Sequence, residues 1–381
     1  MKQNANEISQ NSQSGQVSQS SHPPLESRVR AARAIIERKE LDALLLTGRP
    51  SNRYYAGFSG TTSLVLISSG LARIYVDGRY VLQAGEEAKG YEVVHASRPL
   101  ERLLDDLAKL RVRRLGVEET QLDLATLRQI EAREPLAGIE VIAAGRALAE
   151  PRMRKDAGEI AAIRRAASIA DQALARVLPL LKPGVTERQV AARLEYEMCL
   201  LGAEGSSFQT IVASGVRSAL PHGVASEKAL ESGDAVVIDF GARYNGYCSD
   251  MTRTVFIEYA PQALRELYAL VLEAQETCLA GIRAGITGVA GDRLARDVIE
   301  RQGYGDAFDH STGHSLGLEI HEAPRLSETC KDEIPAGVLM TVEPGIYIAG
   351  LGGIRIEDLV LVTTDGCENL TRSPKELLIT G

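Results

Sequence analysis

The chain has 381 residues, 44% of them apolar and 25% charged, with a formal net charge of −8. That length exceeds one ordinary core and implies two globular domains. The acidic balance and the lack of a Lys/Arg-dense run exclude a nucleic-acid partner, and no run of about 18 apolar residues offers a membrane span.

Residues 1–24 are rich in Gln, Ser and Asn and almost free of large apolar side chains, so they cannot offset their ordering entropy and are expected to form a disordered tail. Lys2 is followed by polar residues where a signal peptide would need an apolar run, so a cytoplasmic location is expected. Residues 25–150 alternate helical and strand periods: an amphipathic helix at 28–39, a short buried strand at 41–46, and a hairpin of 63–68 with 72–76 about Ser69-Gly70. A helix at 100–110, a strand at 114–117, a helix at 122–131 and a strand at 139–143 complete a small α/β domain. Residues 145–154, with Pro151, read as the connection to a second domain spanning 151–381.

That domain opens with a helical pattern over 156–181, stopped by Lys182-Pro183-Gly184, and restarts at Thr186 with Gln189 at capping-box spacing. A shift of 101 residues lays Gly184-Val185-Thr186 on Gly285-Ile286-Thr287 and Gly202 on Gly303. Two α+β halves, their sheets meeting at a shared centre, are therefore expected.

Five residues in Gly-flanked, strand-like motifs carry the chemistry: Asp239, Asp250, His314, Glu343 and Glu357. Asn245-Gly246 is a strong two-residue hairpin signal. Counting outward from a Tyr244–Tyr247 pair, Asp239 falls opposite Thr252 and Asp250 opposite Gly241, provided no β-bulge intervenes. Both carboxylates then share one face roughly 7 Å apart, where they repel unless a proton or a cation lies between them. Gly241 is read as leaving space for that cation. Arg355 and Glu357 share a face of a later strand, with Ile354 and Ile356 on the other. Four carboxylates balance two divalent ions, and an oxygen-rich set with one imidazole suits manganese first, with cobalt or zinc as alternatives. Taken singly, each acid has an ordinary alternative: Asp250 could pair with Arg253, and Glu357 could neutralise Arg355. Together they read as a two-metal hydrolytic centre.

Of six histidines, His222, His310, His314 and His321 lie in motif-like segments, while His22 and His95 read as incidental. His222, in a loop, could hydrogen-bond a carbonyl oxygen or a tetrahedral intermediate, or simply face solvent. The five cysteines include no C-x-x-C pair and read as free thiols.

At these motifs the chain resembles the creatinase, prolidase and methionine aminopeptidase superfamily, the pita-bread metallopeptidases, and within it the Xaa-Pro peptidase branch. The segment Asn52 to Gly60 (NRYYAGFSG) and Asp77 to Tyr80 (DGRY) resemble that family's amino-terminal creatinase-like domain. The resemblance implies an α+β fold in which an N-terminal creatinase-like α/β domain precedes a catalytic pita-bread domain. It implies two divalent ions held by Asp239, Asp250, His314, Glu343 and Glu357, with Glu343 also relaying a proton. It further implies that His222, His310 and His321 line the substrate site, that His222 or His321 stabilises an oxyanion, and that Arg355 supports a bridging carboxylate or the substrate. Ser315 stands where the family often has glycine. The first functional reading is an Xaa-Pro aminopeptidase acting on peptides with proline in second position. The alternatives are an Xaa-Pro dipeptidase, or prolidase, and a non-catalytic binding protein on the same scaffold. A homodimer is expected from the resemblance alone.

Overall fold

The computed structural model describes residues 25–381. The expected disordered tail, with His22, lies outside the described residues. In the N-terminal domain six strands, β1 (Ala43–Leu46), β2 (Leu64–Ser68), β3 (Ala72–Val76), β4 (Glu92–His95), β5 (Arg114–Val117) and β6 (Glu140–Ala143), form one mixed sheet in the order β4-β3-β2-β1-β5-β6. Helices cover both faces: α1 (Leu25–Arg38), α2 (Arg49–Ala56), α3 (Val81–Glu87), α4 (Pro99–Lys109), α5 (Leu124–Ala132) and α6 (Gly145–Met153). This is why β1 reads as an unbroken apolar run. Leu44 and Leu46 face one core and Ala43 and Leu45 the other, so no position is left for a polar side chain.

Residues 145–154 are not an open connection. They form α6, whose Ala147 and Leu148 are buried in the first core. Pro151 lies in its last turns, where main-chain donors run out. Tyrosine hydroxyls supply two of them: Tyr55 donates to the Leu148 carbonyl (2.8 Å) and Tyr54 to that of Pro151 (3.0 Å).

The second domain repeats one pattern. Helices α7 (Ala157–Val177) and α8 (Glu187–Leu200) precede strands β7 (Gly205–Ser206), β8 (Ile211–Ser214), β9 (Ala235–Phe240), β10 (Ala242–Tyr244), β11 (Tyr247–Cys248) and β12 (Met251–Ile257). Helices α9 (Gln262–Gly281) and α10 (Gly288–Arg301) precede β13 (Gly313–Ser315), β14 (Glu322–Leu326), β15 (Leu339–Val342), β16 (Gly345–Ile348), β17 (Gly352–Arg355), β18 (Asp358–Val362), β19 (Cys367–Asn369) and β20 (Leu378–Thr380). The two main sheets run β20-β12-β9-β8 and β14-β13-β15-β18-β19.

The matched sequence positions occupy matched structural ones. Gly184 and Gly285 both have positive φ (92° and 85°), as do Gly202 and Gly303 (102° and 82°). Thr186 and Thr287 each cap a 14-residue helix by accepting from the amide three residues on. The core of α7 and α8 lies on the first sheet, that of α9 and α10 on the second, and the candidate residues lie where the strands of the two halves meet.

Candidate metal centre and catalytic pocket

The Asn245-Gly246 turn sets the first two carboxylates. Both residues have positive φ (48° and 76°), as this hairpin requires, and Tyr244 pairs with Tyr247. The same register holds beyond the break between the β10–β11 and β9–β12 ladders, so Asp239 lies opposite Thr252 as counted from the turn. Gly241 plays another part than the one expected. A Cβ there would lie 1.8 Å from the Ser249 carbonyl oxygen, so the glycine lets two backbones close on each other and does not hold space for an ion. The Ser249 amide donates to the Ala242 carbonyl (2.9 Å), pinning the segment that carries Asp250.

The second half supplies the remaining groups. His314 sits on β13 at a β-bulge, where the ladder to β14 shifts register between His314 and Ser315. Its Nδ1 lies 3.2 Å from the Ser315 carbonyl, which can only accept, so Nδ1 carries the proton and Nε2 presents its lone pair. That Nε2 is 3.3 Å from Glu343 Oε1 and 3.6 Å from Asp250 Oδ2. The Ser315 hydroxyl accepts from the buried Lys155 ammonium (3.4 Å), which gives the serine at this position a partner that glycine would lack.

Asp239, Asp250 and Glu357 bring one oxygen each within 4.8 Å of one another. Asp239 Oδ1, Asp250 Oδ1 and Glu357 Oε1 are buried with no hydrogen-bond partner. Three anionic acceptors sharing a space without a donor are what a cation site leaves when only protein atoms are counted. Burial, and then the neighbouring carboxylates Glu357 and Asp239, push the Asp250 carboxyl well above its ordinary range. Burial with Glu343 and Asp239 does the same to Glu357, and burial raises Glu343 to about 7. Burial drives His314 down to about 3, keeping the ring neutral.

The simple ion-pair alternatives do not occur. Arg253 pairs with Asp358 (2.8 Å), not with Asp250. Arg355 bonds Asp239 Oδ2 (2.6 Å), not Glu357. Arg355 ends β17 and Glu357 lies in the break before β18, so the two do not share one strand as expected; Thr252 joins them instead, its hydroxyl accepting from Arg355 (3.0 Å) and donating to Glu357 Oε2 (2.7 Å). A further Arg355 bond reaches the Pro221 carbonyl (3.2 Å), next to His222.

A cavity of about 620 Å³ opens onto these groups, with Phe208, Ile211, Pro221, Val224 and Ile320 among its walls. His222 and His321 are exposed along it, and neither ring makes a hydrogen bond among the described residues. His310 lines it too, but both ring nitrogens are engaged, Nδ1 by the Ser311 carbonyl (2.9 Å) and Nε2 by the Tyr347 hydroxyl (3.0 Å). His95, on β4, lies outside it. Of the lining residues that sequence reasoning missed, Arg325 is the charged one. It stands opposite His314 across the β13–β14 ladder and projects to the same side, with its guanidinium in no hydrogen bond or ion pair among the described residues.

The comparisons with known proteins agree with this geometry. The model for "Metallopeptidase family M24" matches residues 161–364, and that for "Creatinase/Prolidase N-terminal domain" matches residues 28–154. The chain is 41% identical over 336 residues to the Xaa-Pro dipeptidase of Pyrococcus furiosus, covering 87% of this chain and 93% of that protein. The structure of an Xaa-Pro dipeptidase from Bacillus anthracis is similar with a TM-score of 0.90 at 44% identity, over 93% of this chain and 100% of that one. An X-Pro aminopeptidase structure from Thermotoga maritima is similar with a TM-score of 0.86 at 39% identity, over 93% and 99%.

Proposed function

We propose a function from one premise: the chain belongs to metallopeptidase family M24, with a creatinase/prolidase N-terminal domain ahead of the peptidase domain. It is a metal-dependent hydrolase, and within that class we read it as an Xaa-Pro dipeptidase that cleaves the bond before a C-terminal proline. Sequence motifs alone put the aminopeptidase first. The order reverses because Xaa-Pro dipeptidases stand among the similar proteins at 41% and 44% identity, and because of Arg325. A free guanidinium facing the cavity suits the carboxylate of a dipeptide, which a longer peptide does not place beside its proline.

Asp239, Asp250, His314, Glu343 and Glu357 are the residues that would hold two divalent ions, manganese first and cobalt or zinc as alternatives. The three partnerless oxygens and the His314 lone pair support that fit. Bound there, such ions would polarise the scissile carbonyl and provide a nucleophile at neutral pH. Arg355 fixes Asp239 and tethers the loop that bears His222. With this fifth cationic charge counted, the balanced site of the sequence reading has room for one further negative charge. His222 and His321, their nitrogens free, are placed to hydrogen-bond the carbonyl oxygen as it gains charge, and Glu343 to pass a proton toward the proline nitrogen. That nitrogen carries no hydrogen, so recognition falls to the apolar wall around the ring. His310 contributes its ring surface, since its nitrogens are committed.

The decisive assay compares Ala-Pro, Ala-Pro-amide and Ala-Pro-Ala with manganese present. A preference of about tenfold or more for the dipeptide is expected from the carboxylate contact. Equal or faster cleavage of Ala-Pro-amide and Ala-Pro-Ala would restore the aminopeptidase, and no cleavage of any would remove the peptidase reading. The homodimer and the cytoplasmic location belong to the same proposal, the former supported by the family resemblance and tested by light scattering. Among the described residues no helix is long and apolar enough to cross a membrane.

A further inference from the structure

A second cavity, of about 460 Å³, lies between the two domains. On one side are Arg49 and Arg53 of α2 with the buried Phe58; on the other are Arg243, Glu204 and Gly246 around the hairpin. The two sides interlock. A Cβ on Gly246 would come within 2.6 Å of the Arg53 guanidinium carbon, so the arginine lies flat against the turn. None of the three guanidiniums makes a hydrogen bond or ion pair among the described residues. The carboxylate of Glu204 is spoken for by the Gly246 amide (3.0 Å) and pairs with none of them. Three planar cations thus face one cleft against a single acid in a protein of net charge −8. Arg49 and Arg243 are exposed and Arg53 is half-buried, so solvent reaches all three, but lining one cleft they raise its positive potential, and their forks match an anion with several acceptor oxygens.

We propose that this interdomain cleft is a binding site for a small multivalent oxyanion of the phosphate class, free or as the phosphate group of a metabolite. The bound anion bridges Arg49 and Arg53 of the N-terminal domain to Arg243 of the catalytic domain. The site also adjoins the catalytic cavity through one short segment: Leu318 lines the cleft, while Ile320 and His321 line the cavity. Occupancy therefore bears on the placement of His321.

The test is calorimetric titration of inorganic phosphate into the full-length chain with its metal bound, at fixed ionic strength, alongside R53Q/R243Q and R325Q. The expected result is about one phosphate per chain with a Kd near or below the millimolar range, weakened about tenfold or more in R53Q/R243Q and kept in R325Q. The double variant's melting temperature without phosphate verifies that it folds. Ribose 5-phosphate in a parallel titration distinguishes the two sources: tighter binding than phosphate identifies a phosphorylated metabolite, and equal binding the free ion. Phosphate binding that survives in R53Q/R243Q, disappears in R325Q, or is absent from the parent chain overturns the proposal. No peptide substrate enters the experiment, so its failure is separable from failure of the peptidase reading.

Discussion

Arg325 faces the catalytic cavity uncommitted, so its removal should act on substrate binding more than on turnover. In R325Q the KM for Ala-Pro is expected to rise about 10- to 100-fold with kcat within about threefold, and Ala-Pro-amide to be scarcely affected; an equal loss on the amide would refute a carboxylate contact. Asp250 makes an opposite kind of prediction. Without metal its burial beside Glu357 and Asp239 is destabilising, so D250N should raise the stability of the chelated protein by about 1–3 kcal/mol. With manganese the order should invert, because the parent chain then gains metal-binding energy that the variant forfeits; paired urea curves with chelator and with metal read both signs. The acids and His314 were legible because each stands in a short motif with glycine close by. Arg325 was not, because alternation predicts facing only along a regular ladder, and the bulge at His314 decides which residue comes opposite.

Among the elements, the hairpin from β9 to β12 was legible to the residue, since a two-residue turn fixes parity along both strands. What Gly241 does there was not, because empty space and close backbone approach look alike in sequence. The structure separates them. G241A should cost about 3 kcal/mol or more and weaken metal binding with it, as a methyl group cannot coexist with the Ser249 carbonyl; thermal unfolding with metal stoichiometry checks both, and an unperturbed variant would show that the approach is not required. Helix α6 was misread for a related reason. Proline ends most helices, and the tyrosine hydroxyls that satisfy its final carbonyls come from about a hundred residues earlier, beyond any local pattern.

At the scale of the whole molecule, the joint between domains is ionic and buried. Arg152 and Lys155 both reach Glu322, and Arg28 bonds Asp156 (2.9 Å). Burial would raise the Glu322 carboxyl, but Lys155 and Arg152 outweigh it and hold it down at about 2. A folded pKa below the unfolded one means stability that is full above about pH 4.5 and fades as pH falls toward 2, roughly 3 kcal/mol in all. The stability gap between the parent and E322Q should therefore be widest near neutrality and close on acidification; a gap independent of pH would rule out this linkage. Two domains could be inferred from length, but not this joint, whose partners lie up to 170 residues apart. The doubling of the catalytic domain has a consequence of its own. Asp239 and Asp250 come from the first half, and His314, Glu343 and Glu357 from the second. A chain still emerging from the ribosome thus holds only part of the proposed donor set until both halves exist and have docked, so metal uptake is expected to follow completion of the chain.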